Sequence, residues 1–276
     1  MNPKKNKLWK LMLRLQKDNY EKIKKLRLGY MEKDKFVEDN KELEIIGRDI
    51  FKNFNLENKE IKFFIDVCAA SGIYSNIILE KKKGAVGVGI SLPVDQGGVE
   101  FNIKSDSKYK IFYKDILKKN YKLELPKKAD FGIASCITYI ILNNPKEVVK
   151  LNLKLITKSS MLILSQLKKG GSFIVNLTMK SIHSTFNLIN ILSKYFKSYK
   201  LWKSDNVWQY TNTFYFFGYD FKGDINRNLE QFKNELESKH SNILYKFKGS
   251  NKEYLQINNK MNNIYKVRIN AIKRLN

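Results

Sequence analysis

The chain is poor in residues that staple, ligate or break structure. Of its 276 residues, two are Cys, two are His and four are Pro. Two cysteines, Cys68 and Cys136, exclude a disulfide scaffold and a four-cysteine zinc site. Adding His183 and His240 makes a mixed four-ligand set arithmetically available, but no Cys-x-x-Cys or His-x-x-x-His spacing supports one. Scarce Pro beside a hydrophobic fraction of 43% excludes global disorder. A chain of this length buries roughly 70–75% of its unfolded surface and is expected to fold without disulfide or metal. No apolar run approaches the ~20 residues needed to cross a bilayer, so no membrane span is expected. No uninterrupted apolar core precedes a small-residue cleavage site near the start. The expected compartment is therefore intracellular, cytoplasmic or nuclear, with a mitochondrial location left open by the basic first helix.

Acid is also scarce. There are 27 acidic residues against 52 basic ones, a net charge of +25. Such a field concentrates polyanions and favours nucleic acid or an anionic surface. A compositional reading stands beside this one. Only six of the basic residues are Arg, and Lys, Asn and Ile are abundant together. An AT-rich genome inflates Lys in that way without selection for a partner.

What is present is a change of pattern along the chain. Leu8, Trp9, Leu11, Met12 and Leu15 recur at helical spacing between lysines, and a second amphipathic stretch covers 41–54 with Leu43, Ile46, Ile50 and Phe51 on one face. From Ile61 compact apolar runs alternate with helical stretches. Strands are expected at 61–67, 85–92, 110–113, 130–135, 173–177 and 213–219. Helices are expected at 73–79, 146–167 and 184–195. Strands alternating with helices imply a mostly parallel sheet covered on both faces. The expected division is a basic helical extension over 1–40, an α/β domain over 41–222 and a helical appendage over 223–276.

The first strand–turn–helix carries the most chemistry: Asp66-Val67-Cys68-Ala69-Ala70-Ser71-Gly72-Ile73-Tyr74. In open α/β sheets, ligands bind beyond the carboxyl ends of the strands, and the first turn must be small so that backbone can approach them. A large side chain at Gly72 is accordingly expected to fill the ligand's space and spare the fold. There is no Gly-x-Gly-x-x-Gly and no Gly-Lys-Ser/Thr, which argues against dinucleotide and P-loop sites. Asp66 is placed to accept from a ligand ammonium, or to cap the following helix. Asp115, ending the third strand, is placed to accept from an exocyclic amine, or to cap the turn after it.

Residues 66–79, DVCAASGIYSNIIL, resemble the first motif of FtsJ-like ribose 2'-O-methyltransferases, Asp-x-Cys/Gly-Ala-Ala-Pro-Gly-Gly-Phe/Trp-Ser. Gly87–Gly98 is similar to the second-strand segment of that family, and Tyr113–Ile116 to its third-strand Asp motif. Lys169–Val175 resembles the turn and strand before its catalytic Lys, and Thr213-Phe214-Tyr215 its last strand. The likeness covers about residues 40–222 in the family's order. It implies a Rossmann-like S-adenosylmethionine-dependent methyltransferase fold of the α/β class. The sheet would be seven-stranded and mostly parallel, with helical additions at both ends. It also implies RNA as the partner. By position, Asp66, Cys68, Ala69, Ala70, Ser71 and Gly72 would line the methionine end. Tyr74 would hold the aromatic position, Ser91 the ribose position and Asp115 the adenine position.

The departures lie in the catalytic half. The family orients and deprotonates a ribose hydroxyl with Lys, Asp, Lys and Glu. Here Ser135 stands at the Asp position, Asn176 at the second Lys, and Asn212 or Thr213 at the Glu. Only Arg48 or Lys52 lie near the first Lys. Lys180 is the substitute base that the spacing offers, with His183 and Asp205 as further polar residues near that face. His183 is expected at the surface or in a cap. Two functions are consistent with this pattern: an RNA (ribose-2'-O)-methyltransferase or degenerate descendant that binds RNA, or a non-catalytic subunit serving RNA binding or assembly in a larger complex.

Overall fold

The computed structural model describes residues 6–23, 36–118, 121–136, 145–223, 227–238 and 246–275. The chain runs α1 (Lys7–Asp18), α2 (Phe36–Asn53), β1 (Phe63–Val67), α3 (Ile73–Lys81), β2 (Val86–Ser91), β3 (Tyr109–Tyr113) and β4 (Ala129–Ala134). It continues through α4 (Pro145–Gln166), β5 (Leu167–Thr178), α5 (Ile182–Tyr195), β6 (Phe196–Trp202), β7 (Thr213–Phe221), α6 (Asn228–Glu237) and α7 (Asn251–Lys273). The strands form one seven-stranded sheet ordered β3-β2-β1-β4-β5-β7-β6. The pairs from β3 to β5 are parallel, and β7 runs antiparallel to both its neighbours. The α/β, mostly parallel arrangement expected from the sequence is the one observed.

The central strands form where burial on both faces demands continuous apolar residues. All five residues of β1 are buried, Asp66 included. The Val-Gly-Val-Gly pattern of β2 makes room on one face. A Cβ on Gly87 would lie 2.2 Å from the Phe64 ring, and one on Gly89 would lie 2.0 Å from the Tyr109 hydroxyl oxygen. Phe64 and Tyr109 stack in that space with centroids 5.9 Å apart. β5 is longer than the expected 173–177, because Leu167 already pairs with Ala129 before an irregular turn, with Gly170 at φ 81, re-enters the ladder at Ser172. β6 has no counterpart among the expected strands. Its Lys197 and Lys200 interrupt the apolar pattern, as suits an outer strand exposed along one side.

The terminal helices pack on the same core. Trp9 and Met12 of α1 are buried in the cluster that includes Ile65, Phe173 and Ile264. Asn6 caps α1 by accepting from the Trp9 N–H at 3.1 Å. Its amide donates to Asn258 and Asn262 of α7, each at 2.8 Å. Trp9 and Tyr265 meet with ring centroids 5.5 Å apart. A capping box of Ser250 and Glu253 opens α7. Among the described residues no helix is long and apolar enough to cross a membrane.

Candidate functional site

The turn after β1 sits beyond the carboxyl end of the central strand. Cys68 N–H and Ala69 N–H both donate to the Ile90 carbonyl, at 2.8 and 3.1 Å, so the turn leans on the end of β2. Cys68 adopts a left-handed φ of 63°, and Gly72 N-caps α3 at φ 91°. Gly72 does not face open space. An added Cβ would come 2.5 Å from Ile103, and Asn102 N–H donates to the Ser71 carbonyl at 2.8 Å. The β2–β3 connection therefore covers Gly72. The expectation that a large residue there blocks a ligand and spares the fold is corrected: Gly72→Leu strikes the chain's own Ile103 and forces a positive φ on a side chain.

Asp66 is fully buried. Its Oδ2 accepts from Ser75 Oγ at 2.8 Å, and Ser75 Oγ lies 2.7 Å from the Tyr109 hydroxyl. With the Ser75 hydrogen committed to Asp66, Tyr109 is the donor in the second bond. The second carboxylate oxygen, Oδ1, is buried without a hydrogen-bond partner among the described residues. Burial pushes the Asp66 carboxyl up to about 7, against the opposing pull of the Ser75 bond. Burial also pushes the Tyr109 hydroxyl well above its usual range, with the nearby Asp66 carboxylate adding to the effect. A carboxylate with one unpartnered buried oxygen is suited to receive a donor from outside the chain, an ammonium above all. Asp66 does not cap the backbone of α3; it reaches a side chain one turn in.

The other residues matched by position divide. Ser91 is buried at the end of β2, and its carbonyl accepts from Lys114 N–H at 2.8 Å. Asp115 Oδ1 accepts from Leu117 N–H at 2.9 Å, the turn-capping alternative. Ala69 and Ser71 are buried and Ala70 is half-buried. Tyr74 points away from the turn: its hydroxyl lies 3.1 Å from that of Tyr215. Both line a small apolar hollow with Ile50, Ile133, Ser135 and Ile174.

At the catalytic end, Ser135 follows β4 and its N–H donates to the Val67 carbonyl at 3.1 Å. Asn176 is buried in β5 opposite Tyr215. Lys180 is exposed in a 3-10 turn four residues further on. Arg48 is engaged at the surface, 2.8 Å from Glu44 and 3.1 Å from Glu80, and Lys52 and Asp205 are exposed. His183 is buried in the first turn of α5, contrary to the surface or capping place expected of it, because α5 is buried on nearly every side, polar residues included. His240 lies outside the described residues. Among the described residues no group of three or more His, Cys, Asp or Glu could hold a metal.

Three features escaped the sequence reading. Cys68 and Cys136 form a disulfide, with Cα atoms 5.1 Å apart, joining the turn after β1 to the end of β4. The readable signal was that both cysteines directly follow apolar strands. Arg268 of α7 is fully buried, with Nη1 2.5 Å from Asn212 Oδ1 and Nη2 3.1 Å from the Tyr210 carbonyl. One of six Arg in a Lys-rich chain, set between Tyr265 and Ile269, was the available hint. Lys203 is buried and donates to the carbonyls of Trp208 and Thr213, at 2.9 and 2.8 Å, so two cations hold the β6–β7 loop that carries Asn212.

Residues 48–221 match the family model of FtsJ-like methyltransferases. No curated protein matches the sequence. Among solved structures, a protein from Plasmodium falciparum provisionally assigned as a ribosomal RNA methyltransferase superposes with a TM-score of 0.51 at 18% identity. That match covers 66% of this chain and 97% of the other. An O-methyltransferase family protein from Burkholderia thailandensis gives a TM-score of 0.41 at 12% identity, covering 77% of this chain and 71% of the other.

Proposed function

Because the chain belongs to the FtsJ-like methyltransferase family, we propose that it is a descendant of the RNA (ribose-2'-O)-methyltransferases that holds S-adenosylmethionine and RNA but transfers methyl groups weakly. The observation that carries this reading is Asp66, buried at the end of β1 with Oδ1 unpartnered. It fits the family's cofactor, whose methionine ammonium would supply the missing donor. Ser71, Ser91 and the backbone around Cys68, Ala69 and Ala70 would complete the cradle, with Asp115 at the adenine end through the carboxylate oxygen that does not cap Leu117. When bound, the cofactor supplies an electrophilic methyl on a sulfonium.

The chain's own task is then to orient a ribose hydroxyl and take its proton. Ser135 and Asn176 do not titrate near neutral pH, so neither serves as base. Thr213 Oγ1 lies 2.6 Å from Thr211 Oγ1 and has no acid to offer a lysine. Lys180 remains the candidate, its amine on a flexible four-carbon stem past β5. The replaced positions also favour a second reading, a non-catalytic RNA-binding or assembly subunit of a larger complex. A calorimetric titration with S-adenosylmethionine, then transfer of labelled methyl to a mixed RNA pool, separates the two. Cofactor binding with slow transfer that falls further in Lys180→Ala supports the weakened enzyme. Binding with no transfer supports the subunit. Robust transfer untouched by Lys180→Ala would overturn both the weakening and the assigned base.

A further inference from the structure

β3 is an outer strand of the sheet, and among the described residues neither flanking connection lays a helix over this edge. Of nine exposed large apolar side chains among the described residues, five fall between residues 94 and 117, so the apolar exposure is concentrated here. Phe112 is 39% and Tyr113 45% exposed on β3 itself, and Leu117 is 38% exposed just beyond it.

Alternation along the strand sorts these groups by face. Phe112 pairs in register with Ile90, and Lys110 with Val88. Lys110, Phe112 and Lys114 therefore share one face, with Phe112 between the two lysines along the strand. Tyr113 lies on the other face, braced edge-on by Phe101 at 5.8 Å. Lys110, Lys114 and Lys118 are exposed, and no ion pair engages them among the described residues.

Lysines on an outer strand by themselves deter pairing with another strand. That function does not call for exposed rings between them, because a bare ring costs solubility. The same lysines rule against a second copy of this chain as occupant, since like charges would meet. The combination suits a polyanion that carries flat rings: phosphates to neutralise the lysines and bases to stack on Phe112.

We propose that the β3 edge, centred on Phe112 between Lys110 and Lys114, is a docking strip for single-stranded RNA, separate from the site at the ends of β4 and β5. It rests on RNA being the partner of this chain. The strip holds the strand without reading its sequence, since stacking and phosphate contacts are shared by all four nucleotides.

The test is fluorescence anisotropy of the full chain with a mixed-sequence single-stranded RNA of about 12 nucleotides, with circular dichroism as a fold check. Phe112→Leu keeps an apolar residue and removes the ring. It should weaken binding about 5- to 100-fold, as loss of one stacked base does, with the salt dependence unchanged. Phe112→Trp should keep the affinity. Lys110→Ala with Lys114→Ala should lower the slope of log affinity against log salt by about 1.4, two phosphate contacts on a single strand. S-adenosylmethionine affinity should be unchanged in every variant, so a failure of the cofactor site reads separately. RNA affinity and salt slope unchanged in all variants would overturn the proposal. So would poly-glutamate of equal charge competing as well as RNA, which would make the strip a surface for acidic protein. If the wild type binds no RNA at low salt, the proposal falls together with the RNA reading it rests on.

Discussion

At the carboxyl ends of β1, β2 and β3 the chain buries an ionisable group, Asp66, one of whose oxygens has no partner among the described residues. At the ends of β4 and β5 it places Ser135 and Asn176, which do not titrate, and fastens the neighbouring β6–β7 loop with Lys203 and Arg268. The first region keeps an unfavourable buried carboxyl whose cost a ligand can offset. In the second, Lys203 and Arg268 meet polar groups of the β6–β7 loop from within the chain. Arg268 satisfies Asn212, and Asn212 in turn gives its carbonyl to Met179 N–H at 2.8 Å. The unmet oxygen of Asp66 is the feature suited to a ligand, whereas the loop beside Asn176 is held by the chain's own cations.

The contrast breaks most sharply if chemistry is returned to the second region. Ser135→Asp combined with Asn176→Lys should raise transfer of labelled methyl to RNA by about 10²–10⁴-fold, the usual contribution of a positioned acid–base group. An unchanged rate in a folded double variant would mean that these positions are not where the reaction occurs.

A smaller effect concerns the covalent link between the two regions. The Cys68–Cys136 bridge closes a sequence separation of 68 residues, and constraint of the unfolded chain by such a loop is worth up to about 4 kcal/mol. Cys136→Ser, or reduction by dithiothreitol, should lower the melting temperature by several degrees in a thermal melt. Coincident melts would show that the bridge contributes no stability.

The smallest effect sharpens the first region. Asp66 titrates near 7 in the folded chain, against about 4 when unfolded. Between those values the folded state holds the extra proton, so Asp66 costs stability progressively as pH rises through that window, and the cost is constant above it. Binding an ammonium needs the carboxylate. Affinity for S-adenosylmethionine should therefore rise about tenfold from pH 6 to pH 8 as the ionised fraction grows. In Asp66→Asn the affinity should be lower and flat with pH, and its melting temperature should gain on the wild type between pH 5 and pH 8. A wild-type affinity that ignores pH would remove Asp66 from the site.

Much of the fold was legible in order along the chain. Ile61–Val67, the Val-Gly-Val-Gly run and Phe173–Leu177 read as buried strands because a parallel sheet covered on both faces needs continuous apolar residues. β6 was not legible, since Lys197 and Lys200 on an outer strand look like a loop. For the site, the motif around Asp66 could be located, but its partner Ser75 and the ring behind it could not be ranked.

The sequence alone therefore determined the α/β class, the small-residue turn at Cys68–Gly72 and the absence of Asp and Lys from positions 135 and 176. Those properties depend on residue type and near spacing, which one strand or turn carries by itself. The tertiary structure alone decided that Tyr109 reaches Ser75 through the space left by Gly89, that Ile103 covers Gly72, and that Cys68 meets Cys136. It also decided that Arg268, from the last helix, secures Asn212. Each of these pairs is distant in sequence or set by which side chain leaves room for another, and close packing in three dimensions is what brings them into contact.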